Sequence, residues 1–163
     1  MLLGLISDTH DRLEVIDRAV TFFNQRGVEL VLHAGDWCAP FAFVRFKALK
    51  AELKGVFGNV DGERVKLLEN ASRLGFELGD LVEFNAAKLR AAVIHGADER
   101  LVNALAKCGE YGLIVRGHSH QRLSQRVGSC LVVNPGEACG YLTGASSIAT
   151  LDTETLKVEF HEL

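Results

Sequence analysis

Five short motifs, each placed just beyond an apolar run, constrain this chain most. They are Asp8-Thr9-His10, Gly35-Asp36, Gly58-Asn59, His95-Gly96 and Gly117-His118-Ser119-His120. Together they offer seven candidate metal donors: Asp8, His10, Asp36, Asn59, His95, His118 and His120. Three carboxylate or amide oxygens and four imidazoles exceed what one ion with open positions needs. They suit two divalent cations that share a donor, a clamp fitted to displacement at phosphorus. The absence of cysteine from the set argues against a closed structural zinc site. Mixed oxygen and imidazole donors fit Mn²⁺ first, with Ni²⁺, Zn²⁺, Fe and Mg²⁺ compatible.

The runs that carry these motifs read as strands buried on both faces. Leu2-Leu3-Gly4-Leu5-Ile6, residues 28–33, residues 53–57 and Leu113-Ile114-Val115 are continuous rather than alternating. Helical spacing of Leu13, Ile16, Val20 and Phe23 predicts a helix ended by Gly27. Asp11 is read as its cap, with Glu14 capping back. A second amphipathic helix is expected over 41–50, a third over about 63–74 and a fourth over about 99–108. Residues 76–95 read as strands with turns, and residues 121–161 as strands only. The first half is thus β-α-β-α-β-α, hence parallel, and the last part antiparallel. Two packed sheets with helices outside form the simplest architecture. In open α/β sheets ligands sit beyond the carboxyl ends of the strands, so five separate sequence positions meet at one edge. Extended backbone would point Asp8 and His10 the same way, and likewise His118 and His120.

Composition narrows the class. The 163 residues are expected to form a single domain, 1–163, with 48% apolar residues. A net charge of −3 without a basic run speaks against a nucleic-acid coat, although a local groove stays compatible. No apolar stretch approaches the ~20 residues of a membrane helix, and the start lacks a signal peptide's basic flank. Four cysteines without CxxC spacing fit a reducing cytoplasm.

The ordered motifs D-x-H, G-D, G-N, H-G and G-H-x-H resemble the calcineurin-like metallophosphoesterases. Ser7-Asp8-Thr9-His10 and Asn134-Pro135-Gly136 look like the compact bacterial and archaeal phosphodiesterase branch of that family. The resemblance covers essentially the whole chain and implies a four-layer α/β/β/α sandwich of two packed mixed sheets. It implies Asp8, His10, Asp36 and His120 around a first metal, and Asp36, Asn59, His95 and His118 around a second. Asp36 would bridge, and Asn59 would also touch phosphate. A hydroxide held between the metals would then attack phosphorus in line. Many members carry histidine after the G-N asparagine, as a proton donor to the leaving group. Val60 stands there and donates nothing, so leaving groups that depart unaided are expected to be favoured.

Two other functions fit the same fold. One is a non-catalytic protein-binding scaffold, as in the small subunit of the eukaryotic retromer complex; seven retained donors favour the enzyme over it. The other is a nuclease, for which only Arg122 and Arg126 could flank the site. A small phosphodiester is the expected substrate, and a homodimer is compatible. Among the remaining polar residues, His33 reads as a buried, satisfied histidine, Asp61 as a cap of the next helix and His161 as a surface residue. Trp37 and Cys38 are read as pocket lining or packing. Glu137 and Cys139 carry no assignment.

Overall fold

The computed structural model describes residues 1–86 and 88–163. In chain order its elements are β1 (Leu2–Ile6), α1 (Leu13–Arg26), β2 (Leu30–His33), a 3-10 segment (Pro40–Ala48), β3 (Glu52–Val56), α2 (Arg64–Leu74), β4 (Glu77–Gly79), β5 (Leu81–Ala86) and β6 (Leu89–Ile94). There follow α3 (Glu99–Lys107), β7 (Leu113–Val115), β8 (Arg122–Val127), β9 (Cys130–Pro135), β10 (Ser147–Asp152) and β11 (Val158–Glu162). Among the described residues one sheet has the order β11-β10-β1-β2-β3-β4 and the other β5-β6-β7-β9-β8. Each mixes parallel and antiparallel pairs. β1, β2, β3 and β4 run parallel, as do β6, β7 and β9.

The continuous apolar runs explain the layering. Side chains alternate across a strand. Leu30 and Leu32 of β2, and Leu113 and Val115 of β7, enter the core between the sheets. Val31 faces the outer layer of α1, the 3-10 segment and α2. Ile114 faces α3 on the opposite side, beside Val102 and Ala106. Both faces of these strands are therefore apolar, and the fold is a four-layer α/β/β/α sandwich. Burying each Leu, Ile or Phe side chain contributes about 1.5–3 kcal/mol.

Helix α1 lays Val15, Ile16, Ala19, Val20 and Phe23 on one buried stripe. Gly27, at φ 67°, takes the left-handed conformation that stops it. Two sequence expectations need correction. The segment expected as an amphipathic helix over 41–50 winds as a 3-10 helix over Pro40–Ala48. Its buried Phe43 and Phe46 stand three apart, which suits three residues per turn. Asp11 does not cap α1: Arg12 precedes the helix without a side-chain cap, and Asp11 Oδ1 instead accepts from the Ala39 amide at 2.9 Å. That bond ties the loop after β1 to the loop after β2.

Candidate metal centre

Each of the five motifs begins within three residues of a strand's carboxyl end, so the parallel core of both sheets delivers them to one place. Backbone bonds lock the loops together. The Asp8 amide donates to the Gly35 carbonyl at 3.0 Å, the His10 amide to the Asp36 carbonyl at 3.1 Å, and the Gly117 amide to the His95 carbonyl at 3.0 Å. Across the sheets, the His118 amide reaches Asp8 Oδ2 at 3.2 Å.

Two donor groups result. Donor atoms of Asp8, His10, Asp36 and His120 lie within 4.8 Å of one another. In the second group, Asn59 Oδ1 lies 2.8 Å from His95 Nε2 and 2.9 Å from His118 Nδ1. Asp36 stands between the groups. Its Oδ1 accepts from the Val60 amide at 3.1 Å. Its Oδ2 lies 3.6 Å from His10 Nε2 and 3.4 Å from His95 Nε2. All seven expected residues are thus brought together.

The chemistry of these contacts fits a cation. His95 Nδ1 meets the Ala34 carbonyl at 2.7 Å, which claims the ring's single proton in the neutral form. Nε2 then aims a lone pair at Asn59 Oδ1, another acceptor. With the amide oxygen turned toward the ring, a proton or a metal ion between them satisfies both. Burial opposes a charged His95, but the Asp36 carboxylate outweighs it and holds the imidazole above its ordinary pKa. Burial pushes Asp36 upward, yet the neighbouring His95 leaves it below the usual carboxylate range. Burial alone dominates at Asp8, whose pKa is raised. Among the described residues, Asp8 Oδ1 and His10 Nε2 are the buried side-chain polar atoms without a hydrogen-bond partner. Such orphans are costly unless an ion satisfies them.

The way the paired donors converge differs from the expectation. Asp8 (φ 55°), His10 (φ 41°), Asp36 (φ 60°), His118 (φ 67°) and His120 (φ 59°) occupy left-handed backbone, not extended strand. Asp and His tolerate this region better than most residues, but it still carries strain. The side chains therefore meet through tight turns rather than through strand alternation.

Residues around the donors hold them in place. Glu137, left without a role by the sequence, accepts from His120 Nδ1 at 2.6 Å and from the Leu142 and Thr143 amides. It therefore turns His120 Nε2 toward Asp8 Oδ1, 3.5 Å away. Burial opposes its charge, but the bonds from Thr143, His120 and Cys139 bring its pKa down to about 2. The available signal was its position: an acid two residues past β9, obeying the same strand-end rule. Partners that orient metal-binding histidines typically account for about 10–100-fold in affinity. Glu137→Gln is expected to weaken Mn²⁺ binding by about that factor while the fold stays intact, as titration calorimetry beside circular dichroism will show.

Asp61 is not a helix cap. Its two oxygens accept from the Cys38 and Gly58 amides, each at 2.7 Å, bracing the Asp36 loop against the Asn59 loop. Asn134 braces the Gly117-His118-Ser119-His120 loop, its Nδ2 donating to the Gly117 carbonyl at 2.8 Å. Trp37 packs in the core and donates to the Val56 carbonyl at 2.8 Å, so it does not line the cleft. Cys38 Sγ lies 3.4 Å from His10 Nδ1. Burial pushes the thiols of Cys38 and Cys139 up to about 12, unsuited to a nucleophile. His161 is half-buried and pairs with Thr150 Oγ1 at 2.9 Å. Arg122 and Arg126 engage Glu162 and the Ser129 carbonyl, away from the cleft over the donors.

His33 is fully buried and satisfied. Its Nδ1 accepts from the Gly35 amide at 3.2 Å and its Nε2 meets Thr9 Oγ1 at 3.1 Å. Burial lowers its pKa well below the ordinary value. The unfolded chain then takes up this proton below about pH 6.5 while the folded chain refuses it. Stability from His33 is present above that pH and is lost on acidification, by about 1.4 kcal/mol per pH unit. In chelator, the difference in unfolding free energy between wild type and His33→Asn is expected to shrink from pH 7 to pH 5. A constant difference in denaturant melts would contradict this.

Similarity to known proteins agrees with this geometry. The calcineurin-like phosphoesterase superfamily domain matches residues 1–156. The chain is 39% identical to a phosphodiesterase of Methanocaldococcus jannaschii over 165 residues, covering 100% of this chain and 98% of that protein. The solved structure of an archaeal phosphodiesterase superposes with a TM-score of 0.96 at 37% identity, covering 100% of both chains. Vps29 of Chaetomium thermophilum shares the fold at a TM-score of 0.74 and 17% identity, over 100% of this chain and 97% of that one. This chain belongs to the calcineurin-like phosphoesterase superfamily.

Proposed function

We propose that this chain, as one domain, is a metal-dependent phosphodiesterase whose seven donors hold two divalent cations, Mn²⁺ first among them. The observation that carries the reading is the facing lone pairs around Asp36, together with the unpartnered Asp8 Oδ1 and His10 Nε2. Bound there, the cations would supply Lewis acidity toward phosphoryl oxygens and would ionise a water near neutral pH. The residues have separate parts in this. Asp8, His10 and His120 hold one side, Asn59, His95 and His118 the other, and Asp36 joins them. Ala34 and Glu137 take the outer imidazole protons, so the inner nitrogens of His95 and His120 present lone pairs. Asn59 is exposed at the cleft, which supports a second part for it in contacting phosphate. Val60 lines the cleft without a proton to give, so departing groups leave unassisted by it. Free thiols at Cys38, Cys108, Cys130 and Cys139 support a reducing, cytoplasmic setting. No helix among the described residues is long and apolar enough to cross a membrane.

The test is hydrolysis of bis-p-nitrophenyl phosphate beside p-nitrophenyl phosphate by metal-stripped protein supplied with Mn²⁺ or Ni²⁺. Metal-dependent cleavage that favours the diester is expected. Binding of two ions with no hydrolysis would instead support the scaffold function.

A further inference from the structure

The candidate centre opens on two sides. A cavity of about 440 Å³ lies over His10, Asp36, Asn59, His118 and His120, walled by Val60, Tyr141 and Leu142. A second, of about 310 Å³, lies beside Asn59 and His95 and is lined by Phe57, Arg64, Ile94 and Leu101. Asn59 belongs to both, so it forms the ridge between them. His95 borders one cleft and His118 the other, with ring centroids 5.2 Å apart. A phosphate seated on the ridge therefore has a mostly apolar cleft on either hand. A monoester has one organic arm and would leave one cleft to water. A diester has two.

Resting on the diesterase reading, we propose that the cleft of Phe57, Arg64, Ile94 and Leu101 seats one flat, weakly polar arm of the diester. The other arm rests against Val60, Tyr141 and Leu142. The side chains suit such arms. Arg64 lies over the Phe57 ring at 4.5 Å and pairs with Asp80 at 2.9 Å, so its guanidinium stands at the cleft wall. A guanidinium plane stacks on an aryl ring or a base. Leu101 is 56% exposed, Tyr141 63% and Leu142 75%. These three side chains offer apolar surface at the lips of the two clefts. The net charge of −3 favours a small diester over a long polyanion.

The test compares equilibrium binding of diphenyl phosphate and methyl phenyl phosphate to Mn²⁺-loaded protein by titration calorimetry. Hydrolysis of bis-p-nitrophenyl phosphate is followed on the same preparation. Wild type is expected to bind the two-ring ligand about tenfold more tightly, the usual scale for an apolar pocket contact. Leu101→Ser and Arg64→Ala should bring that preference close to unity, because the single ring of methyl phenyl phosphate can occupy the intact cleft. Leu68→Ser, on the exposed face of α2 and outside both clefts, should keep it. Diester hydrolysis without a two-ring preference, or with one that Leu101→Ser leaves unchanged or Leu68→Ser abolishes, overturns the arm seat alone. No hydrolysis with any metal overturns the diesterase reading and the arm seat with it.

Discussion

Replacing Asp36 with asparagine is expected to lower metal-dependent diester hydrolysis about a thousandfold or more, because several kcal/mol of metal-borne stabilisation depend on it. The reason is positional. Oδ2 of Asp36 lies within 3.6 Å of His10 Nε2 and 3.4 Å of His95 Nε2, so it belongs to both donor groups. An amide there removes the charge that favours a cation at both donor groups.

 The backbone should not suffer, since asparagine accepts the φ of 60° found at this position. The fold is therefore expected to survive, with a lower metal-free melting temperature at neutral pH, because a carboxylate held below its ordinary pKa by His95 stabilises the folded chain. Initial rates, ion stoichiometry by calorimetry and a thermal melt together check this. An Asp36→Asn protein that binds two ions and turns over at the wild-type rate would refute the shared-donor role.

Gly58→Ala should produce the second large effect, through sterics alone. A Cβ at Gly58 would lie 1.9 Å from Asp36 Oδ1 and 2.3 Å from the Asp36 amide nitrogen. Neither side can give way. The Gly58 amide is tied to Asp61 Oδ2 at 2.7 Å, and the Asp36 carbonyl accepts from the His10 amide at 3.1 Å. Relief requires that the Asp36 and Asn59 loops move apart. A loss of about 3 kcal/mol in stability is expected, at the upper end for an overpacked site, together with loss of high-affinity binding of the second ion. Gly62→Ala is the matched control, because a Cβ there meets nothing within 4 Å. Denaturant melts and calorimetry of the two variants separate the effects. Equal stability and equal ion binding would show that the two loops are not held as tightly as their contacts indicate.

The layers were legible in the sequence because their cause is local. Strands such as Leu30–His33 and Leu113–Val115 are covered on both faces, and the continuous apolar runs record that directly. The convergence of Asp8, Asp36, Asn59, His95 and His118 followed from parallel strands ending at one edge. What could not be read was the conformation of the loops themselves. Asp and His tolerate a left-handed backbone, but that tolerance does not single out Asp8 or His120, and a bond such as that from the Asp8 amide to the Gly35 carbonyl joins loops distant in sequence. The same holds for Asp11 and Asp61. Each sits where a helix cap would, but a neighbouring loop offers its amide first. Glu137 illustrates the limit from the other direction. Its place past β9 was visible, but its partner His120 is 17 residues away, across a junction that only packing creates. Phe43 and Phe46 carry a three-residue spacing that a short segment does not distinguish from a helical one.

The left-handed turns also set what would be needed to build such a centre elsewhere. A protein engineer who copied Asp8, His10, Asp36, His118 and His120 onto the strand ends of another α/β scaffold would transfer the side chains without the φ angles that aim them. On ordinary extended loops the same residues would splay. The portable part is the interlocked set of turns, with Asp61, Asn134 and the amide bonds between loops included, and the donors are its last addition.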